Sequence, residues 1–127
     1  MRCPMLLVVL LLVLPVLVQA QCAGLTAPPV PFAKEVLTIS ITPVALTSTI
    51  YQPSGPPASM AQVTIEQGDI RYYEVGTPSA TDGHYLAATP PQTFFICGLD
   101  SIQAFKAIRA GTTNARATIT YYRSKSP

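Results

Sequence analysis

The chain has no tryptophan, a single histidine and only 11% charged residues in a length of 127. Each shortage removes a class of chemistry. One histidine, His84, cannot build a His-based metal cage or a Cys/His zinc cluster, which need several such donors. It would also have to be the base of any nucleophilic triad, with Asp82 as its orienting carboxylate. In the turn Thr81-Asp82-Gly83-His84, an Asx-type bond to the backbone suits Asp82 better. The acids Glu35, Glu66, Asp69, Glu74, Asp82 and Asp100 lie in no glycosidase-like motif, and no GxGxxG, Walker, zincin or EF-hand pattern occurs. The expectation is a chain with no catalytic residue, no cofactor and no metal. Asn114 is followed by Ala115-Arg116, so it is not a glycosylation acceptor. A formal charge of +2 offers no basic footprint for nucleic acid or for an acidic membrane.

What the chain does have begins at its amino end. Arg2 precedes an unbroken apolar run from Met5 to Val18, and Val18-Gln19-Ala20 places small or apolar residues at the −3 and −1 positions of a cleavage site. The run is short for a hydrocarbon core, and a Pro-rich polar stretch follows it rather than a cluster of stop-transfer charges. This pattern predicts a secretory signal peptide over 1–20. The mature chain would be exported to the periplasm or the extracellular space with no stable membrane anchor. The competing reading is an uncleaved anchor. The remainder, Gln21 to Pro127, is the size of one domain.

Cys3 leaves with the signal peptide, so Cys22 and Cys97 remain. Two cysteines in an oxidising compartment permit one disulfide, closing a loop of roughly 75 residues worth about 4 kcal/mol in the chain-entropy account. The alternative is a free thiol at Cys97, buried in Phe94-Phe95-Ile96-Cys97, with Cys22 on an arm. Lipidation of Cys22 is disfavoured because Gln21 stands where a small residue is needed.

Residues 21–34 hold Pro28, Pro29 and Pro31 and read as an extended arm, because proline fixes φ and removes donors. From Glu35 the apolar pattern has period two. Leu37, Ile39 and Ile41 predict one strand, Val44–Tyr51 a weaker second, Ala61–Ile65 a third and Ile70–Val75 a fourth. Tyr85–Ala88, Thr93–Cys97 (a buried strand by its continuous apolar content) and Ala115–Tyr122 follow, with Ser101–Arg109 also placed as strand. Its Ile102, Phe105 and Ile108 fit helical spacing, but the segment between glycine turns is short for a helix. Seven or eight short strands over 35–124 predict an antiparallel β-sandwich, Ig-like or jelly-roll-like, or a small barrel.

Tyr72-Tyr73 and Tyr121-Tyr122 each send one ring to either face of a sheet. The outward rings, together with Arg71, Arg123 and the loop Gly76–His84 carrying Asp82, form the candidate contact surface. Without tryptophan, sugar stacking is the weaker use of it.

The stretches Ile70-Arg71-Tyr72-Tyr73, Gly76–His84, Phe105–Gly111 and Ala117–Tyr122 resemble a family of small all-β proteins of tailed bacteriophages and prophages. Leu37–Thr49 and Ala61–Gln67 fit the same layout. The resemblance implies a compact β-sandwich that decorates capsids or associates with heads or tails, without catalysis. The signal peptide, the Pro-rich arm and the cysteine pair depart from that family, which points to an exported relative that kept the fold. Protein partners or self-assembly are therefore expected, and a monomeric secreted domain binding glycan or protein is the alternative.

Edman or mass-spectrometric sequencing of exported material should find Gln21, free or cyclised, at the amino terminus. Material beginning at Met1 would contradict the cleavage.

Overall fold

Alternation along the strands sets the architecture. In β3 (Met60–Gln67) Ala61, Val63 and Ile65 turn inward, and in β8 (Ala115–Ser124) Ala115, Ala117, Ile119 and Tyr121 do the same. All seven are at most 1% exposed, while the residues between them face solvent or lie half-buried. The computed structural model describes Cys22 and residues 29–125. The expected signal peptide, its expected cleavage site at Ala20 and most of the first part of the Pro-rich arm lie outside these residues.

Beside β3 and β8 stand β1 (Pro29–Ile39) and β6 (Gln92–Cys97), completing an antiparallel sheet in the order β1-β8-β3-β6. The second sheet comprises β2 (Val44–Ala45), β7 (Lys106–Arg109), β4 (Ile70–Tyr73) and β5 (His84–Leu86), in the order β2-β7-β4-β5. β1 pairs with β8, β2 with β7, β3 with β6 and β4 with β5. This is one long antiparallel ribbon rolled on itself, and the roll is closed by β3 against β8 and β4 against β7. The expected sandwich is thus present with eight strands, and its strand order is that of a jelly roll.

The core between the sheets is apolar throughout. Ile39, Ile65, Ile70, Ile96, Ile102, Phe105, Ile119 and Tyr121 are its largest members, and no polar or charged residue is buried among the described residues. Tyr72 of β4 crosses the gap to stack on Phe94 of β6, ring centroids 4.6 Å apart. Tyr51 and Tyr121 each carry a hydroxyl on a buried side chain, and that of Tyr121 is hydrogen-bonded. The Tyr121 hydroxyl donates to the Glu35 carboxylate, which also accepts the Thr47 N–H at 3.2 Å. Burial first, and then the bond to Glu35, hold the Tyr121 phenol well above its ordinary pKa.

Several local expectations change. The arm predicted over 21–34 becomes strand from Pro29, because a proline on an edge costs no ladder bond when its nitrogen faces outward. The strand expected over Val44–Tyr51 is only the pair Val44–Ala45, followed by a helical turn α1 (Ser48–Tyr51). Thr47, Ser48 and Thr49 are all exposed, so no alternation holds them in a sheet, and the turn delivers Tyr51 to the core beside Tyr121, centroids 6.0 Å apart. Ser101–Arg109 splits into a short helix α2 (Leu99–Ala104) and β7. The helical spacing seats Ile102 and Phe105, and Phe105 then turns to an extended conformation that starts the strand. Thr93–Cys97 is an edge strand with only Ile96 buried, because adjacent Phe94 and Phe95 must face opposite ways.

Cys22 and Cys97 form a disulfide with Cα atoms 5.3 Å apart, which removes the free-thiol reading of Cys97. In register, Cys97, Met60, Tyr122 and Pro31 make one row across the first sheet. Cys22 is therefore tied to the β6 edge while β1 opens at the far edge, about 14 Å away at the usual strand spacing. The bridge encloses six of the eight strands. Reduction should lower stability by about 4 kcal/mol, read as a drop in the melting midpoint by circular dichroism. An unchanged midpoint would show that the unfolded chain gains nothing when the loop opens.

Candidate functional site

Strand alternation places Arg71 and Tyr73 of β4 on the outer face of the second sheet, beside Lys106 of β7 and Tyr85 of β5. The polar loop between β4 and β5 folds back over this face. Arg71 donates from Nε to the Ala80 carbonyl at 3.1 Å and from a terminal nitrogen to the Gly83 carbonyl at 3.1 Å. The Tyr73 hydroxyl donates to Asp82 at 2.8 Å, and Lys106 Nζ donates to the Thr77 hydroxyl at 3.1 Å. Pro78 of this loop is itself buried. Gly83 makes the close approach possible. Its φ is +134°, and a Cβ there would stand 3.1 Å from the Arg71 Cβ and 3.2 Å from that of Pro78.

A second tie lies alongside. The Asp69 carboxylate accepts the Tyr85 hydroxyl at 2.6 Å and the Ala88 N–H at 2.9 Å. Those two bonds, the phenol first, hold Asp69 below its ordinary pKa against a smaller opposing effect of burial. The same bond raises Tyr85, and the bond to Asp82 raises Tyr73. The Arg71 guanidinium lies 5.4 Å from the Tyr85 ring centroid, so Asp69, Tyr85, Arg71 and the loop form one connected patch. Asp69 and Tyr85 were absent from the expected contact set. The aspartate follows Gly68, where φ is +72° and the chain passes from the first sheet to the second, a position that read as turn punctuation.

The expected contact residues do not meet on one platform. Arg71, Tyr73 and Asp82 come together, but their polar groups are occupied with one another and with the loop backbone. Tyr72 turns inward, against Phe94, Phe105 and the exposed edge residue His84, whose ring centroid is 5.4 Å away. Desolvation, with Glu74 second, raises its phenol. Tyr122 and Arg123 belong to the other sheet, because β8 pairs with β1 and β3. There the Tyr122 hydroxyl donates to Gln62 Oε1 at 2.8 Å, and the Arg123 guanidinium lies 5.0 Å from the Phe32 ring centroid, beside a shallow cleft lined by Val30, Pro56, Ser124 and Lys125. Adjacent tyrosines on strands of two different sheets put their outward rings on opposite faces of the sandwich.

The outer face of the first sheet is rich in hydroxyls. Val36, Thr118, Thr64 and Thr93 form one row across its four strands, with Thr64 and Thr93 hydroxyls 2.8 Å apart. Glu66 accepts from Thr118 at 2.6 Å and pairs with Arg116 at 3.3 Å in an exposed contact of small energetic weight. Among the described residues no three His, Cys, Asp or Glu side chains gather as a metal site, and no helix is long and apolar enough to cross a membrane. Compared with family models, curated proteins and solved structures, the chain matches none.

Because the folded-state pKa of Asp69 is depressed, its tie is complete above the ordinary value of 3.8 and is lost as pH falls through the lower folded value. Hydrogen-exchange protection of the Ala88 amide should therefore hold from neutrality down to about pH 4 and fall below it. In Asp69→Asn that protection should be reduced at neutral pH and flat across the same range. Protection in the parent protein that ignores acid would show that the carboxylate does not hold Ala88.

Proposed function

We propose that this chain is an exported, non-enzymatic jelly-roll module that packs against protein surfaces and against copies of itself. On this reading it is a particle-associated subunit of the kind that its Ile70–Arg123 segment resembles. The observation that supports it is where the polar side chains go. Arg71, Tyr73 and Asp82 hold a loop onto the second sheet, and Asp69 and Tyr85 anchor the next strand. These bonds stiffen a small body instead of converging on a cavity. A stiff sandwich with a hydroxyl-rich outer face, and with sheet edges unpaired among the described residues, suits assembly, where little ordering entropy remains to be lost. Jelly rolls also serve as lectins, but the tyrosines best placed to stack on a sugar, Tyr73 and Tyr85, have their hydroxyls committed to Asp82 and Asp69.

Sedimentation velocity on the protein beginning at Gln21, over roughly 1 μM to 1 mM, tests the reading. A species that grows with concentration is expected. A strict monomer across the whole range would overturn it in favour of a secreted monomeric binding domain.

A further inference from the structure

Resting on that reading, we infer that copies associate through the β6 edge at Thr93 and Phe95, where no described strand pairs with it, and that this edge pairs antiparallel with β6 of a second copy about a two-fold axis through Phe94. The sandwich has four strand edges, at β1, β6, β2 and β5. Exposed edges invite pairing with other chains, and folded proteins usually blunt them by shortness, proline, lysine or a bulge. β2 and β5 are only two and three residues long. β1 is long but carries Pro29, Pro31, Lys34 and a bulge between Pro31 and Ala33. β6 has none of these devices. Its six residues, Gln-Thr-Phe-Phe-Ile-Cys, include no charge and no proline, and Pro90 and Pro91 stand just before it.

The backbone shows which groups face outward. Gly98 donates to the Ser59 carbonyl at 2.8 Å, in register with the β3–β6 ladder. Alternation then points Ile96, Phe94 and Gln92 at β3, and the N–H and C=O groups of Thr93 and Phe95 at the open edge. The close Thr64–Thr93 hydroxyl contact fits a pair of the non-bonded type at that position, as this phase requires. With the axis through Phe94, Thr93 of each copy exchanges both backbone bonds with Phe95 of the other. The ladder ends at Pro91, which has no N–H to give, and it makes no use of Cys97.

A strand paired antiparallel with itself is an isologous contact, and an uncharged strand meets its copy without repulsion. Thr93 and Phe95 share the outer face, so each aromatic ring lies opposite a β-branched residue, a favourable cross-strand pairing. The outcome is a continuous sheet running through both copies. The contact engages the backbone of two residues on each strand, so it is weak in isolation, with dissociation in about the micromolar range or above. Repetition in a larger assembly would strengthen it by raising the local concentration.

Hydrogen exchange on the native protein at about 5 μM and about 500 μM reads the pairing directly. Protection of the Thr93 and Phe95 amides should rise roughly tenfold with concentration, and the amides of β1 should not change. Thr93→Pro removes an outward N–H and no bond to β3, so it should abolish the concentration-dependent species. Thr93→Ala loses the same side-chain contact but keeps the N–H, and it should associate like the parent. Association that proceeds with unchanged exchange at Thr93 and Phe95, or that survives Thr93→Pro, would overturn the β6 pairing while leaving self-assembly intact. A monomer at every concentration would overturn both.

Discussion

The ladder between β1 and β8 is the constraint on which the roll depends. It joins Pro29 to Ser124 and Ile39 to Ala115, so it brings together the two ends of the described domain. Contacts so distant in sequence carry a large loop-closure cost before any of them stabilises the fold. Three features of the chain offset that cost. β8 pairs on both sides, with β1 and β3, and supplies an inward row of Ala115, Ala117, Ile119 and Tyr121. The Tyr121 phenol, brought inside by that row, finds its acceptor in Glu35 on β1 itself. The Cys22–Cys97 disulfide then shortens the unfolded chain's excursions over the first six strands.

Polar chemistry on the second sheet follows from the same closure. Rolling the ribbon places β4 beside β7, and only then does the β4–β5 loop have a broad outer face to cover, from Arg71 to Lys106. The loop is long and polar, features that often mark a binding loop. Here its carbonyls are met by Arg71 and its aspartate by Tyr73, with Gly83 providing the clearance. A loop held at four points loses much of the adaptability that ligand capture requires. The proposal of assembly starts from surfaces that this loop leaves uncovered, among them the hydroxyl-rich face of the first sheet and the β6 edge at Thr93 and Phe95.

The class of fold, the position of most strands and the inward residues of β3 and β8 were legible in the sequence, because a half-buried strand must alternate and these strands do. Cys22 and Cys97 were legible as a candidate bridge, since Cys3 falls within the expected signal peptide and the two cysteines beyond it have one way to pair. Where the burial pattern depended on distant partners, local reading failed. Val44–Tyr51 has strand-forming residues, yet only Val44–Ala45 has a neighbour to pair with. Ser101–Arg109 carries helical and strand spacing in succession, and the need to seat Ile102 and Phe105 in the core decided the boundary.

The sequence by itself determined which residues could be buried and where the chain could turn, because these depend on residue type and near neighbours. Only the tertiary structure decided which polar groups meet. Nothing local relates Asp69 to Tyr85, or Arg71 to the carbonyls of Ala80 and Gly83, and nothing local separates Tyr122 from Tyr73 by the thickness of the sandwich. Those relations are set by strand order, and strand order is chosen by the burial of all eight strands at once.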